Sequence, residues 1–186
     1  MKPSLRPFWP LLVVLALGCT TSTAHAKAAA YNVTVIRWAD ADTVVAKHCH
    51  GTYCVEEKIR LRAFDAPEIA HYKSEVDQPG SREALAFVNA KYGKGVVLTV
   101  SPNGGLSFGR VVADVSADGK DVACELAANG HGMADDRYKP SIELKDAVAA
   151  AKEQKLGIWS YAEPPISPAE WRKQNKSKLI QLRKDK

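Results

Sequence analysis

The run from Lys58 to Phe64, KIRLRAF, alternates strictly and constrains the fold more than any other stretch. A period of two puts Ile59, Leu61 and Ala63 on one face of a strand, and Arg60 and Arg62 on the other. Further strands surround it. Tyr31, Val33 and Val35 alternate with Asn32, Thr34 and Ile36, and Thr43-Val44-Val45-Ala46 follows a tight acidic turn. Val96–Val100 (VVLTV) and Arg110–Val115 (RVVADV) flank a turn at Asn103-Gly104-Gly105, and Asp118-Gly119 turns into Lys120–Val122. After the third strand a helix opens at Gly80-Ser81, with Ser81 as N-cap. It repeats Ala84, Leu85, Val88 and Tyr92 at helical spacing before Gly93. Two more helices are expected over 121–129 and 141–156, the latter with Leu144, Val148, Ala151 and Leu156 inward. The pattern predicts a mixed α+β chain, mainly β: a small five-stranded barrel with three helices.

A chain of 186 residues and 20.2 kDa suits one compact domain, and 46% hydrophobic residues exclude wholesale disorder. The net charge of +5 is unevenly placed. Residues 27–170 hold 17 Lys+Arg against 20 Asp+Glu, whereas 171–186 hold 7 against 1. The basicity belongs to the tail, so the acidic groups of the core need their own explanation. A tail of this composition is more often solvated than specific.

Residues 1–26 read as a signal peptide: Lys2 and Arg6, an apolar stretch Leu11–Gly18, and a small-x-small site at Ala24-His25-Ala26. The competing reading is lipoprotein processing at Leu17-Gly18-Cys19, with membrane attachment through an acylated Cys19. Either makes the protein exported, secreted or periplasmic. The main domain then spans 27–162, and 163–186 is a Pro-containing linker with a basic tail. Cys49 and Cys54 flank a short loop between two strands, a long-looped hairpin. In an oxidising compartment a disulfide is the default there, with zinc on His48, Cys49, His50 and Cys54 as the lesser reading. Cys124 lies in an apolar helical pattern and reads as a buried inert thiol. His71 and His131 are isolated and receive no role.

Three short segments carry chemistry. Asp40-Ala41-Asp42-Thr43 puts two carboxylates in a strand-ending turn. Arg60 precedes Asp65 by five residues and Glu68 by eight, with Pro67 stiffening the turn, and Phe108-Gly109-Arg110 puts an arginine directly after another turn. Each is common alone. Converged, three carboxylates and a backbone carbonyl make a hard-oxygen site for calcium, and two guanidiniums clamp a phosphate.

DADT, RLRAFDAPE and FGR, in this order and at these separations, resemble the staphylococcal (micrococcal) nuclease family, and KEQKLGIWS is similar to its last helix and exit. The resemblance runs from about Tyr31 to Ser160. It implies an OB-type barrel and a calcium-dependent nuclease acting on DNA and RNA as a monomer, leaving 3′-phosphate and 5′-hydroxyl ends. Asp42 and Asp65 match calcium carboxylates, Ala66 a backbone-carbonyl ligand, and Asp40 an outer acidic residue. Glu68 matches the carboxylate that orients or deprotonates water, and Arg60 and Arg110 match the arginines on the phosphate. Thr43 supports the turn. Tyr138 and Lys139 resemble the substrate-side loop. Two departures, Asp136 in place of a tyrosine and Ser107 in place of a lysine, imply weaker nucleotide binding. The alternatives are a catalytically silent barrel that binds nucleic acid or protein, and a calcium-binding module. The second does not explain the arginines.

Overall fold

The computed structural model of the chain describes residues 28–70 and 76–175. The leader with Cys19, His71 and the end of the basic tail lie outside those residues. Strands β1 (Tyr31–Asp40), β2 (Thr43–His50), β3 (Tyr53–Leu61), β4 (Phe64–Asp65), β5 (Val97–Ser107), β6 (Arg110–Ala117), β7 (Lys120–Asp121) and β8 (Met133–Ala134) are interleaved with helices α1 (Ser81–Tyr92), α2 (Val122–Ala128) and α3 (Ile142–Glu153). A further helix covers 168–175. Sheet order is β3-β2-β1-β5-β6-β7, and β3 also pairs with β6. That parallel pairing, Ile59 opposite Val111 through Leu61 opposite Ala113, closes five strands into a barrel.

The inward stripe read from KIRLRAF is correct: Ile59, Leu61 and Ala63 are all buried. They meet Val33, Val35, Val44, Leu98, Val100 and Val115 in one core. Each aliphatic side chain buried this way contributes about 1.5–3 kcal/mol. Helix α1 lays Ala84, Val88 and Tyr92 onto the barrel, and Trp38 Nε1 donates to the Tyr92 carbonyl at 2.7 Å, fixing the helix end to β1.

Four expectations are corrected. The strand through Lys58–Phe64 breaks at Arg62-Ala63, where Ala63 takes φ 58°. The chain leaves the barrel there, and β4 pairs with β8 instead. The hairpin is not long-looped: β2 and β3 pair out to His50 opposite Tyr53, so only Gly51-Thr52 turn, and Cys49 faces Cys54 across the ladder, joined by a disulfide. The bonded sulfurs are not available as zinc ligands. Asn103-Gly104-Gly105 does not end a strand, because β5 continues to Ser107 across an irregularity in its pairing with β6. Ser81 is not a cap: Gly80 holds that position, and the Ser81 hydroxyl is buried without a hydrogen-bond partner among the described residues. Ser141 does cap α3, accepting from Leu144 N–H, and Leu144, Val148 and Ala151 face inward while Leu156 is partly exposed.

Candidate active site

The base of the β2–β3 hairpin places Thr43 opposite Arg60. Asp42 lies in the turn just before Thr43, and its carbonyl accepts from Leu61 N–H at 2.8 Å. Asp42 and Arg60 are therefore neighbours across one ladder rung, though separated by eighteen positions. The kink at Ala63 returns the chain, so that β4 presents Asp65 to the same guanidinium. A non-glycine residue at positive φ costs roughly 1–2 kcal/mol; here that strain aims Asp65.

Arg60 is buried and bridges two buried carboxylates. Its Nη1 donates to Asp42 Oδ1 at 2.6 Å and its Nη2 to Asp65 Oδ1 at 2.5 Å. Asp42 accepts two further hydrogen bonds: Oδ1 from the Thr43 hydroxyl at 2.8 Å, and Oδ2 from Ala66 N–H at 3.1 Å. Asp40 stands behind, taking Asp42 N–H on Oδ1 at 3.2 Å. Burial, aided by the Asp40 charge, pushes the Asp42 carboxyl up to about 7 against the pull of Arg60. Burial works against the Arg60 charge, but Asp42 and Asp65 outweigh it and hold the proton more firmly.

Arg110 opens β6, the strand paired with β3 beside Arg60. Phe108 and Gly109 take φ 51° and 73°, the two positive values that a two-residue hairpin turn requires, and glycine supplies the second without strain. Ser107 thus pairs with Arg110, whose Nε donates to the Ser107 carbonyl at 3.2 Å. Nη1 reaches the Thr43 hydroxyl at 3.4 Å, a weak contact. Arg110 has no carboxylate partner among the described residues. A cavity of about 340 Å³ opens between Asp40, Arg60, Glu68, Phe108, Arg110 and Tyr138. Burial pushes the Glu68 carboxyl upward, partly offset by Arg172.

This is a barrel carrying Asp42, Asp65 and Glu68 beside Arg60 and Arg110, and residues 58–161 match the family described as staphylococcal nuclease homologue. The chain belongs to that family. It is 33% identical over 128 residues to probable endonuclease LCL3 of Scheffersomyces stipitis, an alignment covering 63% of this chain and 53% of the relative. It is 33% identical over 129 residues to probable endonuclease LCL3 of Debaryomyces hansenii, covering 62% of this chain and 52% of the relative. The chain spans about half the length of the curated relatives it matches.

Most site residues expected from the staphylococcal nuclease resemblance stand together: Asp40, Asp42, Arg60, Asp65, Ala66, Glu68, Arg110 and Tyr138. Lys139 turns through a left-handed φ of 50°, and its carbonyl and that of Tyr138 accept from Arg62 Nη1 at 3.2 and 2.6 Å. Arg62 also pairs with Asp114 at 2.6 Å, so it anchors the substrate-side loop to β6. Asp136 faces a separate cleft with Lys145, Lys152 and Trp159. Sequence reasoning missed two arginines on the cavity wall, Arg137 and Arg172. Arg137 is paired with Asp135 at 2.7 Å. Arg172 belongs to the tail that composition assigned to solvent.

Proposed function

We propose that this chain is an exported, calcium-dependent nuclease that hydrolyses phosphodiester bonds of DNA and RNA to 3′-phosphate and 5′-hydroxyl ends. The observation that carries the reading is the meeting of Arg60, Arg110 and Glu68 around one cavity, with Asp42 and Asp65 bonded behind Arg60. A binding-only barrel needs no carboxylate on the same cavity wall as two guanidiniums.

The donor chemistry at Asp42 and Asp65 fits calcium, since both offer carboxylate oxygens and neither competes with nitrogen or sulfur ligands. Among the described residues no cluster of three or more His, Cys, Asp or Glu side chains is preassembled for a metal. On this reading Asp42, Asp65 and the Ala66 carbonyl would hold the ion, with Asp40 outside them. Bound there, calcium would neutralise charge on the phosphate and favour attack.

The remaining chemistry belongs to the chain. Glu68, half-buried and raised by desolvation, takes a proton from the attacking water. Arg110 meets the non-bridging phosphate oxygens, joined by Arg60, whose Nε–H makes no hydrogen bond among the described residues. Their fixed charges stabilise the five-coordinate transition state, after which the bond to the 5′ oxygen breaks and that oxygen leaves protonated from solvent.

The test is hydrolysis of single-stranded DNA and RNA by the folded chain, with calcium and then with a chelator. Calcium-dependent cutting that falls about 10²–10⁴-fold in Glu68→Gln supports both the activity and the base. A folded chain that binds oligonucleotide but cuts neither polymer under saturating calcium is a silent barrel.

A further inference from the structure

The Arg172 guanidinium lies on two carboxylates that the proposed chemistry uses, Asp65 as ion ligand and Glu68 as base. Its Nη1 donates to Glu68 Oε1 and, at 3.2 Å, to Asp65 Oδ1, while Nη2 donates to Asp65 Oδ2 at 3.1 Å. With Arg60 already on Asp65 Oδ1, both oxygens of Asp65 are occupied by arginines. A carboxylate held in that way is not free to ligate an ion, and Glu68, paired with a cation, is a poorer proton acceptor. Arg172 comes from beyond residues 58–161, the span of the family match.

The approach is built into the chain. Gln78 is buried and its Nε2 donates to the Ile166 carbonyl at 2.9 Å, fixing the segment that enters the helix. Ser167 starts that helix, its Oγ accepting from Glu170 N–H at 3.2 Å. Trp171 packs with Pro79, Tyr161 and Pro165 in a pocket of its own, and the next residue, Arg172, lines the site cavity. The Arg172 side chain remains 38% exposed.

We propose that helix 168–175 is a removable plug: Arg172 occupies Asp65, the cation ligand, and Glu68, the proton acceptor, and cation binding at Asp65 expels it. This rests on the assignment of Asp65 as a cation ligand. Because both states draw on the same Asp65 oxygens, the plug and the ion exclude one another. Each therefore weakens the other by the same factor.

The experiment is calorimetric titration of calcium into the full chain and into Arg172→Ala and Arg172→Lys, with hydrogen exchange of residues 168–175 followed by mass spectrometry. Arg172→Ala is expected to bind calcium on the order of tenfold more tightly than the parent. Arg172→Lys, which keeps the charge but loses the fork, falls between. In the parent, saturating calcium accelerates exchange in 168–175; in Arg172→Ala exchange is fast with or without it. Equal or weaker calcium binding in Arg172→Ala overturns the plug, as does exchange in the parent that ignores calcium. If neither protein binds calcium, the cation assignment at Asp65 fails and the competition fails with it. That pattern is distinct from equal binding by both, which removes the plug alone.

Discussion

Gln78 and Glu68 clasp one another through two hydrogen bonds, Gln78 N–H to the Glu68 carbonyl at 2.8 Å and Glu68 N–H to Gln78 Oε1 at 3.1 Å. The pair fixes the backbone on both sides of Glu68, the residue assigned to the water. Gln78 touches no reacting atom, so it is a positioning residue. In Gln78→Met, kcat is expected to fall about 10- to 100-fold with KM little changed. Stability drops about 1–3 kcal/mol, because the Glu68 amide loses its acceptor. Steady-state kinetics beside urea unfolding separate the two effects. A variant that loses stability but keeps kcat shows that Glu68 needs no such clasp.

Arg60 neutralises two buried carboxylates at once; removing it strands Asp42 and leaves Asp65 to Arg172. Metal-free Arg60→Met is expected to lose about 3–5 kcal/mol, the usual result of breaking one side of a buried pair. Calcium at about a hundred times its dissociation constant should restore about 2.7 kcal/mol, and a chelator should reverse the gain. Urea denaturation in both conditions reads this directly. Calcium that gives Arg60→Met no stability removes the ion from Asp42 and Asp65.

Much of the site was legible because its residues sit in short ordered motifs. The alternation around Ile59 and Leu61 located the inward face, and the turn before Thr43 located Asp42. Closure of the barrel through Ile59 and Val111 was not legible, since a parallel contact between distant strands leaves no local pattern. Neither was the break at Ala63: periodicity says the strand continues, and nothing about alanine announces a positive φ. Arg172 was missed for a different reason. Net charge averages seven cations together, whereas docking depends on one guanidinium held by its neighbours. Trp171 beside it, following Pro164-Pro165, was the available signal, an apolar anchor in an otherwise polar tail.

Gly132 owes its identity to the site rather than to a turn. A methyl group there would place its carbon 2.8 Å from the Asp65 carbonyl oxygen and against the Phe64 ring. Backbone cannot yield as a flexible side chain does, so β4 must shift and carry Asp65 with it. Gly132→Ala is expected to cost about 1–3 kcal/mol, the range for overpacking a filled interior. Calcium affinity should fall together with stability, read by titration and by thermal unfolding. Unchanged calcium affinity in a destabilised Gly132→Ala separates β4 from the cation site.

His131 supplies a pH dependence with a definite sign. Its ring packs against Phe87 with centroids 4.5 Å apart, and burial lowers its pKa, although Glu83 pulls the other way. The unfolded chain therefore takes up this proton near pH 6.5, while the folded chain resists it. The contribution of neutral His131 is complete above that unfolded value and is lost as pH falls through the lower folded one. The stability of the parent should decline across this window, and His131→Gln, neutral throughout, should decline less steeply. Urea midpoints between pH 7.5 and 5 measure the difference. If the parent and His131→Gln lose stability in parallel, the acid sensitivity belongs to other groups.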